Sequence, residues 1–136
     1  MRLLDALTDL AGSLVDALDA DACAVSRVLG DVLLFVTQSS RDGRSLALGQ
    51  GFLVSEYPQT ADVLERGEPR SVCVDDPRAD PRELQLLQEL GYSALLMLPL
   101  ELRGETWGLV EVYRAAPRPF GPVEIRAGLA RLGSFL

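Results

Sequence analysis

The residues of this sequence with chemical potential are few. They are an acidic run (Asp75, Asp76 and Asp80), two cysteines (Cys23 and Cys73), and a lone acid among apolar residues, Glu111. Carboxylates close together can hold a divalent cation, but this spacing lacks a complete set of oxygen ligands. The simpler reading makes Asp80 a helix cap, with Pro81 at the first helical position and Glu83 three residues after the cap. Asp75 and Asp76 then end a strand in a solvated turn, and no metal is expected. Cys23 and Cys73 both fall in apolar stretches and read as small buried hydrophobes. They form a redox pair only if their strands adjoin. Two lone cysteines do not supply the roughly four ligands of a zinc or iron–sulfur site.

What the chain lacks narrows the chemistry further. It has no His, no Lys and no Asn, and all 13 basic residues are Arg. Acid–base work is left to carboxylates, Tyr and Ser/Thr, and no triad or paired-acid signature appears. An enzyme is not expected. The net charge is −7 with no basic run, which disfavours nucleic acid as a partner. No uncharged apolar stretch approaches the roughly 18 residues of a membrane span. The opening "MRLLDALTDLAG" carries Asp5 and Asp9, unlike a signal peptide. A cytoplasmic protein with reduced cysteines is expected.

Glu111 raises the sharpest question. It alternates with Trp107, Leu109 and Tyr113, so it is expected on their face. A carboxylate there is destabilising unless paired. Either an Arg or backbone donors satisfy it, or it accepts a hydrogen bond from a ligand or across a dimer seam. Tyr57, Tyr92 and Trp107 carry polar handles on large rings, and Ser93 and Met97 lie on the opposite strand face from Leu96. With Glu111 they form the candidate ligand-binding set, although any one ring is more simply an ordinary core residue at the edge of the cover.

These residues need elements to position them. Leu3, Leu7, Leu10, Leu14 and Ala17 recur at steps of four and three, which predicts an amphipathic helix over 2–18. "ACAVSRVL" and "VLLFVTQ" flank Gly30-Asp31 as a hairpin. Residues 39–51 are polar and Gly-rich, hence loop. "PQTADVLERGEP" reads as a short helix closed by Gly67, and "RSVCV" as a strand. A helix then runs from Pro81 to the stop at Gly91. Next comes "GYSALLMLPLELRGETWGLVEVYR", a hairpin turning at "RGE". A final helix covers 122–136. The first arm of this hairpin is apolar at both parities, so both sheet faces must be covered. Pro99 lacks an N–H and must sit at an outward-facing or bulged position.

This pattern resembles the GAF domain family. The resemblance rests on Gly91, Ser93, Leu96, Pro99, Leu100, Gly104, Gly108 and Val110 in the hairpin. "RGEP", "VDDPRADP" and "RPFGPVEI" support it more weakly. It covers essentially the whole chain, 1–136, as one domain, and no better match is seen to the related PAS fold. It implies an α+β architecture: an antiparallel sheet of five or six strands in the order 2-1-5-4-3, terminal helices on one face, and a loop-and-helix cover on the other.

The resemblance also implies a sensory role and a homodimer through helices 2–18 and 122–136. Relatives bind cyclic nucleotides through a motif needing Asn and Lys, haem through an axial His, or a bilin on a Cys in the helical cover. By these motifs all three cofactors are argued against. Relatives that reduce free methionine sulfoxide use three cysteines, and this chain has two. The expected function is a non-catalytic sensory domain that binds a small, largely apolar molecule. The alternatives are a pure dimerisation or relay module and, less favoured, a redox enzyme of the methionine sulfoxide reductase type. A cavity of roughly 300 Å³ or more with a few polar groups would favour the ligand; a solid core would favour the relay.

Overall fold

The leucine stripe at the start of the chain folds as α1 (Leu3–Ala17), with Leu7, Leu10 and Leu14 buried and Asp5, Asp9 and Asp16 exposed. The computed structural model describes residues 2–46 and 51–135. The predicted loop over 39–51 therefore lies partly outside the described residues, as do the two chain ends. After α1 come β1 (Ala22–Leu29), β2 (Val32–Ser40), a two-residue β3 (Phe52–Leu53) and a 3-10 turn (Val54–Glu56). Then follow α2 (Pro58–Arg66), β4 (Arg70–Cys73), α3 (Pro81–Glu89), β5 (Ala94–Leu102), β6 (Glu105–Arg114) and α4 (Pro122–Phe135).

The six strands form one antiparallel sheet in the order β3-β2-β1-β6-β5-β4. Leaving out β3 gives the order that the resemblance implies. The departure is this short edge strand, which pairs with Val32 and Leu33. Its residues follow a Gly-rich loop and carry too short a pattern to read as a strand.

Two cores lie on opposite faces. Leu7, Leu14, Val25, Leu96, Leu98 and Val112 pack beneath α1 and α4. Leu33, Val63, Leu87, Leu95, Met97 and Leu109 pack beneath α2 and α3. Each fully buried leucine contributes about 2 kcal/mol, so losing either cover would expose a whole sheet face. Among the described residues no helix is long and apolar enough to cross a membrane.

The β5–β6 hairpin turns through Arg103 (φ 56°) and Gly104 (φ 80°). Positive φ at both central residues matches the right-handed twist of the flanking strands. Pro99 is tolerated because β4 ends where Arg70 meets Met97. Two residues further along, β5 has only β6 as a partner, with Leu109 opposite Pro99, so the missing N–H is at an unpaired edge. At Gly108 the strands come close: a Cβ there would lie 1.9 Å from the Ser26 carbonyl oxygen of β1. Only glycine admits this approach.

A buried arginine locks the sheet to both terminal helices. Arg114, at the end of β6 and 2% exposed, donates from Nε to Asp19 O at 3.1 Å and from Nη2 to Leu18 O at 2.6 Å, both at the end of α1. Its Nη1 reaches Arg118 O at 3.1 Å and Pro119 O at 3.3 Å. Its Nη2 also donates to Glu124 in α4, and its guanidinium lies 4.0 Å from the centre of the Phe120 ring. Neither the strand pattern nor the resemblance singles out this residue.

Candidate functional site

A small cavity lies between the sheet and the α2–α3 cover. Its floor is made by Ala24 and Ser26 of β1, Leu33 and Phe35 of β2, and Glu111 and Tyr113 of β6. Its roof is made by Phe52, Val54, Tyr57 and Thr60 on one side, and by Leu46, Glu83, Leu86 and Leu90 on the other. The volume is about 40 Å³, room for about three waters. That is well below the 300 Å³ set from sequence for a ligand pocket, yet the core is not solid either, and its polar groups are unusual.

Glu111 sits mid-strand, opposite Ala24 of β1 and Met97 of β5. Neither neighbour offers a side-chain donor. No described Arg forms an ion pair with it. Its side-chain partner is the Tyr113 hydroxyl. Burial pushes its carboxyl up to about 7, and the charge of Glu83 adds to this against the Tyr113 bond. What surface it keeps faces the cavity. The pairing with an Arg that sequence suggested is therefore absent among the described residues.

Glu83 is the second acid, 2% exposed. Sequence places it as the capping partner of Asp80, and half of that box forms: Asp80 Oδ2 accepts the Glu83 N–H at 3.2 Å. The reciprocal half does not. The Asp80 N–H donates instead to Gln59 Oε1 at 3.1 Å. Glu83 is released into the cavity, where the Thr60 hydroxyl donates to Oε1. Burial raises its pKa; the Thr60 bond opposes this and the Asp80 charge adds to it. No sequence signal separates a capping glutamate from one turned inward, because the tertiary neighbour Gln59 decides it.

The other candidates divide. Tyr57 lines the cavity, edge-on to Phe52 with ring centres 5.8 Å apart. Burial and the charge of Glu83 raise its pKa. Met97 does not line the cavity but lies behind it, its sulfur 3.4 Å from the Thr60 hydroxyl. Tyr92 is stacked on Tyr113 at 5.2 Å and covered by Arg44, outside the lining. Ser93 joins the strand ends, its N–H donating to Arg114 O at 2.8 Å. Trp107 is a correction. Leu100 pairs with Gly108 and Glu101 with Thr106, which leaves Trp107 as the extra residue of a bulge. The bulge breaks the alternation. Trp107 packs with the α1–α4 core beneath Arg27, at 4.9 Å.

The cysteines do not meet. Cys23 in β1 and Cys73 in β4 are separated by β6 and β5, and both thiols are free and buried. Burial pushes the Cys23 thiol far up, with the charge of Glu111 adding to it. A thiol held protonated is a poor nucleophile.

The sequence profile of the GAF domain matches residues 2–127. The chain belongs to the GAF domain family. No curated protein sequence matches it. Solved GAF-containing structures share the fold at low identity. The chromophore-binding domain of an unusual bacteriophytochrome, RpBphP3 from R. palustris, is 15% identical with a TM-score of 0.80, over 98% of this chain and 54% of that one. The phycocyanobilin-bound GAF domain from a cyanobacterial phytochrome is 20% identical with a TM-score of 0.83, over 99% and 82%. The phycoerythrobilin-bound form is 18% identical with a TM-score of 0.83, over 99% and 83%. The chain spans about half the length of the bacteriophytochrome domains it resembles.

These GAF structures correct one expectation. The positions of the cysteines and the lack of His argue against a bilin. The same fold, matched along nearly the whole chain, holds a bilin in solved structures. The exclusion was drawn from attachment residues, whereas room for a ligand is set by the sheet and its cover. The exclusion of bilin is withdrawn.

Proposed function

We propose that this GAF domain is a non-catalytic, cytoplasmic sensory module. In this reading a small ligand enters the cavity over Glu111, and α1 and α4 relay its presence to a second copy of the chain. The observation that carries the reading is Glu111 itself: an acid in a partly enclosed, mostly apolar cavity, with Tyr113 as its partner and no cation beside it among the described residues. A core filled only to be solid gains nothing from such a group. Two buried thiols with no partner suit a reducing compartment.

The ligand carries N–H donors that the cavity acids accept. Bilins, which several similar structures hold, are one such class. In a cavity of about 40 Å³ a molecule of that size requires the α2–α3 cover to move outward. The small volume favours a second reading, a relay module that holds no ligand.

Thermal shift separates the two. Protein purified under mild conditions is first weighed by native mass spectrometry for a retained molecule, then melted with and without biliverdin or phycocyanobilin. A ligand at a hundred times its Kd stabilises the fold by about 2.7 kcal/mol. An upshift that Glu111→Ala abolishes supports the sensory reading. No retained mass and no upshift would favour the relay.

A further inference from the structure

The cavity acids lie in facing walls, Glu83 in the cover and Glu111 in the sheet, and no lining residue is basic. One oxygen of Glu83 is taken by Thr60. The Thr60 backbone N–H also donates to this carboxylate, and the side chain is 2% exposed. Arg70, the base whose charge acts on Glu83, is engaged by Asp62 at 3.6 Å. Each carboxylate offers about four lone-pair sites, so the two acids together keep much unused acceptor capacity. Two like charges in a closed space resist joint ionisation unless a positive charge joins them.

We propose that the cavity selects amphipathic ligands with a protonated nitrogen, seated between Glu83 and Glu111, and an apolar body against Leu33, Phe35 and Val54. This rests on the ligand reading above and adds the charge of the ligand to it. A cation neutralises both acids at once and gains charge-assisted hydrogen bonds from each. A neutral ligand of the same shape gains only the apolar contact. An anion meets like charge from both walls, with little water to screen it.

A charge series tests this without knowledge of the natural ligand. The protein, labelled with nitrogen-15, is titrated at pH 7 with n-butylammonium, n-butanol and butyrate, following the amide resonances of Ser26, Leu33 and Thr60. The ammonium should bind about tenfold or more tighter than the alcohol, and butyrate weakest. In Glu111→Gln the preference for the ammonium over the alcohol should shrink to about threefold or less while the alcohol binds as before. Glu83→Gln repeats the arm if the first variant does not fold. Alcohol binding as tightly as ammonium in the unaltered protein overturns cation selection and leaves the ligand reading standing. If none of the three moves the cavity resonances, both are overturned.

Discussion

The Gln59 side-chain oxygen accepts the Asp80 backbone N–H at 3.1 Å, occupying the position that a capping-box glutamate would take. This contact between α2 and α3 lets Glu83 turn inward. Gln59→Ala removes the acceptor and lets Glu83 swing back to the cap. The expected loss is about 1 kcal/mol of stability, read by urea denaturation. The Thr60 hydroxyl should lose its partner, visible as a changed Thr60 amide shift. An unmoved Thr60 resonance would mean that Gln59 does not hold Glu83 in place.

Stability should fall as pH rises through the window from 4.5 to about 7 in which Glu111 titrates. The folded state keeps the proton on Glu111 there, while the unfolded chain has released it. Folding therefore binds a proton, and raising the pH opposes it. The effect is at most about 3 kcal/mol, and less where cavity water solvates the carboxyl. Glu83 shifts in the same direction. Glu111→Gln should melt near the unaltered protein at pH 4.5 and clearly above it at pH 8. Parallel curves across that range would show that Glu111 titrates normally.

Arg114 should be among the residues least tolerant of change. Replacing it with Met strands the carbonyls of Leu18, Asp19, Arg118 and Pro119 as well as Glu124. Breaking a buried pair from one side costs about 3–5 kcal/mol. Burial opposes ionisation of Glu124, but Gly121 N–H, Arg114 and Arg118 outweigh it and hold its carboxyl below the usual range. Its contribution is therefore present above the ordinary carboxylate range and lost in acid. Glu124→Gln should cost less, about 1 kcal/mol. Equal losses from the two variants in calorimetry would contradict this ordering.

The terminal helices carry exposed apolar residues: Leu3, Leu4, Val123 and Leu129. If these form the dimer seam, light scattering after gel filtration should give twice the chain mass. The double variant Leu4→Glu, Leu129→Glu should then run as a monomer with its far-UV circular dichroism unchanged. A monomeric unaltered protein would remove the seam.

The local elements were legible because each is specified over a short span. The stripe of α1, the Asp80–Pro81 start of α3 and the Arg103–Gly104 turn are set by neighbours within a few residues. The family, and with it most of the strand order, was legible from the glycine, serine and proline positions of the β5–β6 hairpin, several of which answer backbone constraints. Gly108 must admit β1, and Pro99 must face an edge that β4 leaves open.

The candidate site was legible only in part. Glu111 stood out in sequence because an acid among apolar residues breaks a pattern, and Tyr57 because rings with polar handles are rare here. Sequence by itself fixed the classes of residue present: no His, no Lys, acids to spare, and a strand with both faces apolar. Tertiary structure decided which of them meet. A bulge moved Trp107 to the other face, Gln59 turned Glu83 inward, and strand order kept Cys23 from Cys73. Those outcomes depend on partners distant in the chain, and a side chain's role in a cavity is set by what packs against it.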